Sequence, residues 1–213
     1  MRMLFLLLLV AFPAWAQDSA AISVVERREV ALAPVPGSPA YELRLTLAYL
    51  DGTGWTPGTI VEAANASARI LAQCGLALKA VELIRVAAPS RFHDFLSPVS
   101  RELAAALQLR KPAVYFIAGT RQRPAFDAEA IGRGNSRTRP ELRDTVWIAR
   151  GTRDLEIAMT HELVHLLMDS GQHSEEPGNL MRDETAPGNS RLSAAQCKRI
   201  QETGGANGLL TPR

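Results

Sequence analysis

The amino-acid sequence predicts an α+β single domain: a twisted mixed sheet carrying two long helices and a C-terminal helix. Three observations lead there. Apolar runs of strand length, Tyr41 to Leu50, Ala113 to Ile117 and Thr145 to Ala149, alternate with segments of helical length. Capping signatures open two of those segments, and glycines close them. The length, 213 residues, suits one domain with a hydrophobic core.

The first residues stand outside that core. Arg2 gives a short positive region, Met3 to Phe12 an apolar one, and Ala14-Trp15-Ala16 a small-x-small cleavage site. Residues 1–16 therefore read as a secretory signal peptide, with the mature chain starting at Gln17 and exported to the periplasm or beyond. The apolar run is too short to span a bilayer, so no stable membrane insertion is expected after cleavage. Charge is nearly balanced, 24 Lys+Arg against 22 Asp+Glu. With no basic tail and no stacking-aromatic repeat, nucleic-acid binding finds no support, and a monomer is expected.

Residues 17–40 are rich in Ala, Pro and Val with little periodicity, and read as an N-terminal arm to a domain spanning 41–213. From Tyr41 to Leu50 the pattern alternates, with Leu43, Leu45 and Leu47 on one side of a strand. Thr56-Pro57 starts a helix, Thr as N-cap and Pro in the first turn; Ile60, Ala64, Leu71 and Cys74 share a stripe, and Gly75 is its stop. Leu76 to Val86 is ambiguous and reads as strand. Pro98 to Leu109 reads as helix, and Ala113 to Ile117 as a short central strand. Residues 119–144, rich in Arg, Gly and Pro, read as a long surface excursion. After the strand Thr145–Ala149, a helix over about 153–170 begins near Thr152 or Asp154. Ser193 to Gln196 is a capping box, with Leu192 and Cys197 as a hydrophobic staple, and its helix stops at Gly204-Gly205.

The helix before Gly171 holds the chemistry. Residues 161–173 read His-Glu-Leu-Val-His-Leu-Leu-Met-Asp-Ser-Gly-Gln-His, and they contain three of the chain's four histidines. His161 and His165, four apart, share one helix face, because a turn takes about 3.6 residues. Together they can grip one metal ion, with Glu162 beside the first ligand. Imidazoles that hold Zn²⁺, a carboxylate that takes a proton from water, and an open coordination position make a hydrolytic site. His173 supplies the third ligand if Gly171 ends the helix at positive φ and turns the chain back. Glu175, Glu176 and Asp183 are alternatives to it. His93, in Arg-Phe-His-Asp-Phe, reads as a packed or surface histidine.

His-Glu-x-x-His, a third His soon after, and then Asn179-Leu180-Met181 resemble the metzincin clan of zinc peptidases, in particular its matrixin-like members. Met181 lies eight residues beyond His173, the matrixin interval, and His173-Ser174 matches their His-Ser pair. The resemblance implies a zincin fold and a peptidase acting on protein or peptide substrates. It implies one catalytic zinc on His161, His165 and His173, Glu162 as general base, and Met181 as a floor beneath the metal. It also implies a substrate cleft along an edge strand, with the peptide antiparallel to it. Two positions depart from the clan: Met168 stands where it usually has Gly, and the third His comes two residues late. A two-residue insertion accounts for both, Gly171 taking over the turn. Asp183 stands where some members carry Tyr. A zinc-binding module without activity, or an interaction protein on the same scaffold, would use the same motif.

Two further features bear on the site. Arg121, Arg123, Arg133, Arg137, Arg139 and Arg143 could line a cleft and favour acidic substrate side chains; a solvated loop balanced by Glu141 and Asp144 is the favoured reading. Cys74 and Cys197 form either one disulfide or two buried thiols, and export favours the disulfide.

Overall fold

The computed structural model describes residues 21–213, so the expected signal peptide lies outside the described residues. The chain joins the sheet earlier than its sequence suggests. Ser23–Ala31, inside the expected arm, forms β1, an antiparallel edge strand. Nearly all of it is exposed, so neither face requires an apolar stripe and no period shows in the sequence. The Tyr41–Leu50 run divides into β2 (Tyr41–Leu43) and β3 (Leu45–Leu50), in different sheets. The break falls at Arg44, whose guanidinium turns outward to Glu42 at 2.9 Å.

Helix α1 (Pro57–Leu71) starts as read: the Thr56 hydroxyl accepts from the Thr59 amide at 3.3 Å. A tight turn over Ala72–Cys74 prolongs it, and Gly75 stops it at φ 66°. The ambiguous segment is strand in two pieces, β4 (Leu76–Ala77) and β5 (Ala80–Ala87). Next come β6 (Asp94–Phe95), α2 (Ser97–Leu107) and β7 (Ala113–Ile117). The excursion at 119–144 is not all loop: it holds β8 (Gly119–Thr120) and β9 (Ala128–Ile131). It is followed by β10 (Thr145–Ala149) and α3 (Leu155–Met168). The chain then forms α4 (Ala194–Ala206) and β11 (Leu210–Pro212).

The main sheet runs β1-β5-β3-β7-β10-β9. Its four inner strands are parallel, and both outer ones are antiparallel to their neighbours. Parallel strands covered on both faces need apolar residues throughout, which is why β3, β7 and β10 are uninterrupted buried runs. One face carries Leu45, Leu47, Val114, Phe116, Val146 and Ile148 against α1 and α3. The other carries Leu50, Tyr115, Ile117 and Trp147, with α2 supplying Leu103 and Ala104. Among the described residues no helix is long and apolar enough to cross a membrane.

Helix α3 is buried on nearly every side, so it runs through the body of the domain. A buried hydroxyl pair, Ser67 with Thr160 at 2.8 Å, joins it to α1. The capping box of α4 is present in full. That helix does not stop at Gly204-Gly205 but continues to Ala206. Gly204 serves packing instead: a Cβ there would lie 2.9 Å from Leu210 Cδ1, so the Leu210 side chain would have to shift. Cys74 and Cys197 are joined in a disulfide, which clamps the first turn of α4 to the end of α1.

Candidate metal centre and cleft

His161 and His165 are both buried on α3, one turn apart. The His161 Nδ1 lies 2.8 Å from the carbonyl of Leu180, and the His165 Nδ1 lies 2.6 Å from that of Ser170. A carbonyl oxygen only accepts, so each Nδ1 carries the hydrogen and each neutral ring presents a bare Nε2. These point at one another: His161 Nε2 to His165 Nε2 is 2.8 Å, and His165 Nε2 to His173 Nε2 is 3.2 Å. One ligand atom from each of the three rings lies within 4.8 Å of the others. Lone pairs gathered this closely repel unless a cation sits among them, so the donor set fits a metal ion. His173 is the exposed member, with its Nδ1 3.4 Å from Asp183 Oδ1.

The turn that returns His173 is made differently from the sequence reading. Asp169, not Gly171, takes the left-handed conformation, at φ 45°, directly after Met168. Gly171 is not among the glycines with positive φ, so the role read for it falls to Asp169. Asp is among the non-glycine residues that enter this backbone region more readily than most. Glu175 and Glu176 are not part of the histidine cluster, and neither is His93. Met181 is fully buried in the core. Its backbone N–H donates to Asn179 Oδ1 at 2.9 Å, and its carbonyl accepts from Ser174 at 2.7 Å. Asn179 also pairs amide to amide with Gln196 of the α4 capping box, at 3.0 Å in both directions. That clasp fixes the segment whose Leu180 carbonyl orients His161. Asn179, quoted with the motif but given no role there, is thus a supporting residue, and Asp169 is the turning residue that the motif did not single out.

Burial shapes the electrostatics. It lowers the pKa of His161, and it lowers that of His165 to about 4, with His161 adding to the second effect. Both rings are thus held neutral, the state a metal needs. Burial also raises the Glu162 carboxyl to about 7, which the Ala130 backbone partly opposes.

Two hollows flank this group. One, of about 520 Å³, is bounded by Glu129, Ala130, Gly132, Gly134 and Asn135 opposite His165, Asp169 and His173. The other, of about 680 Å³, is bounded by Phe126, Asp127 and Arg153 opposite His161, Asp183 and Glu184. Ala128, Glu162 and His173 belong to both, so they form one cleft along β9, the last strand of the sheet. None of the six arginines of the excursion lines either hollow. Arg121 pairs with Asp94, Arg139 faces Glu129, and Arg133 and Arg143 face the buried Asp144. The largely apolar hollow under the Pro-rich segment 32–39 involves none of the histidines.

The chain matches no protein-family model and no curated protein. Among solved structures it is similar to metalloproteinase-II from Bacteroides fragilis, with a TM-score of 0.51 and 17% sequence identity over 83% of this chain. The match spans 57% of that longer protein. The likeness shows the fold: this is a mixed α+β domain of metalloproteinase-like architecture.

Proposed function

We propose that this chain is an exported zinc-dependent endopeptidase. The observation that carries the reading is the set of three converging Nε2 atoms beside a half-buried glutamate, in a cleft along an unpaired sheet edge. A fold shared with a metalloproteinase supports it. His161, His165 and His173 would hold the ion, an all-imidazole set of the kind catalytic zinc uses. When bound, zinc supplies Lewis acidity that polarises a carbonyl and brings the pKa of water to about 7.

The chain's own residues do the rest. An extended peptide adds to the edge of β9, antiparallel, meeting the backbone of Ala128 and displacing the Asn135 side chain from the Ala130 carbonyl. Its N-terminal part then lies toward Gly132 and Asn135, and its C-terminal part toward Phe126 and Arg153. Glu162 takes a proton from the attacking water at a carboxylate oxygen and hands it to the departing amine nitrogen. A carboxyl whose surroundings raise its pKa toward neutrality can do both. Met181 forms the floor of the site and keeps water away from its inner side. The signal peptide at 1–16 and the disulfide together support export.

The test is digestion of a diverse peptide mixture by the mature protein, beside Glu162→Ala at equal zinc loading. One bound zinc in both is expected, with turnover at least about 100-fold lower in the variant. Equal turnover in the two, or cleavage unaffected by zinc removal, overturns the reading.

A further inference from the structure

The segment that lengthens the histidine motif also reaches across the cleft. Asp169 closes α3 with its backbone alone: its N–H bonds to Leu166 and its φ of 45° turns the chain. The side chain is not needed for that turn and points elsewhere. Its Oδ1 accepts from the backbone N–H of Arg133 at 2.9 Å and of Gly134 at 3.3 Å, in the turn that follows β9. Gly132 makes this approach possible, since a Cβ there would sit 2.7 Å from the same oxygen. The turn is fastened from its far side as well: the Arg133 guanidinium donates to the Asn207 carbonyl and lies 3.6 Å from Asp144. Asp169 thus bonds one wall of the cleft, while its neighbour Ser170 orients His165 on the other.

We propose that Asp169 is a positioning residue, a carboxylate latch that holds β9 in register with the metal-site helix and so sets how tightly the cleft grips an extended peptide. The peptide part rests on the peptidase reading above. It gives the two extra residues between His165 and His173 a use: they supply the turn that carries the latch. What the place requires is an acceptor oxygen, because two adjacent amide donors meet it.

Two substitutions separate latch from turn. Asp169→Asn keeps an acceptor oxygen and tolerates the left-handed backbone; Asp169→Gly keeps the backbone and removes the acceptor. The measurements are KM and kcat on a quenched peptide with zinc-loaded full chain, the dissociation constant for zinc, and hydrogen exchange of the Arg133 and Gly134 amides. We expect Asp169→Asn to stay within about twofold of the parent in all of them. Asp169→Gly should raise KM about tenfold, leave kcat and zinc affinity within about threefold, and speed exchange of both amides at least tenfold. Gly132→Ala, which crowds the same oxygen, should raise KM in the same direction. Unchanged amide exchange in Asp169→Gly overturns the latch. So does a loss confined to kcat, or one that follows zinc affinity. If the parent cuts no peptide, the peptidase reading fails, and the exchange rates still decide whether Asp169 holds the wall.

Discussion

Removing the disulfide by Cys197→Ser should cost about 5 kcal/mol of stability. The bridge joins residues 123 apart, and in the chain-entropy model such a loop denies the unfolded chain about 16 cal/mol/K. At 25 °C that is about 5 kcal/mol, or about 10–20 °C in Tm for a domain of this size. The folded side should lose less. The capping box still holds the start of α4, the Gln196 side chain still pairs with Asn179, and Gln201 still donates to the Cys74 carbonyl at 2.7 Å. Zinc stoichiometry should accordingly stay at one. Urea unfolding of the oxidised parent, the reduced parent and Cys197→Ser gives the number. The two unbridged forms should agree with each other and show a steeper dependence on urea, because their unfolded chains expose more surface. A loss below about 2 kcal/mol with an unchanged slope would refute the reasoning, since the bridge would then not be restricting the unfolded chain.

Lys111→Met should stabilise the protein. Lys111 Nζ is buried without a hydrogen-bond partner, and burial brings its pKa down to about 8. A folded pKa below the unfolded value means stability is full above about pH 10.5 and is lost as pH falls through 8. The gain from the substitution should therefore be about 3 kcal/mol at pH 7 and under about 1 kcal/mol at pH 10; a gain that ignores pH would contradict the burial argument. Asn179→Ala removes the clasp to Gln196 and the acceptor for the Met181 amide, loosening the carbonyl that orients His161. Zinc should bind about tenfold more weakly by competition with a chromophoric chelator, and an unchanged affinity would show that Leu180 keeps its place without Asn179.

The elements legible in the sequence are those whose signal is local. The strands β7 and β10 are continuous apolar runs because both their faces are covered. Thr56 with Pro57, and Ser193 with Gln196, announce helix starts through side chains that bond within one turn. The spacing of His161 and His165 follows from helix geometry in the same way. What stayed hidden depends on distant partners. Strand β1 has no buried face to imprint a pattern, and β9 is four residues inside an Arg-, Gly- and Pro-rich stretch, a strand by virtue of pairing with β10. Asp169 makes the turn expected of Gly171, and its carboxylate also meets the 133–134 amides, partners that no reading of residues 165–173 alone could include. The arginines of the excursion look like a basic surface in sequence, yet several are drawn to Asp94, Glu129 and Asp144, and none of the six lines either hollow of the cleft.

The covalent bond between Cys74 and Cys197 encloses every residue of the proposed site: Glu162, the three histidines and Met181 all lie between its ends. A single cut anywhere from residue 75 to 196 therefore cannot release a fragment. The largely exposed stretch at 121–125 is a natural place for a peptidase to nick the chain. Nicked molecules would migrate as one species until a reductant is added. The bridge thus acts as a tether that turns chain scission from loss of the molecule into a tolerated scar.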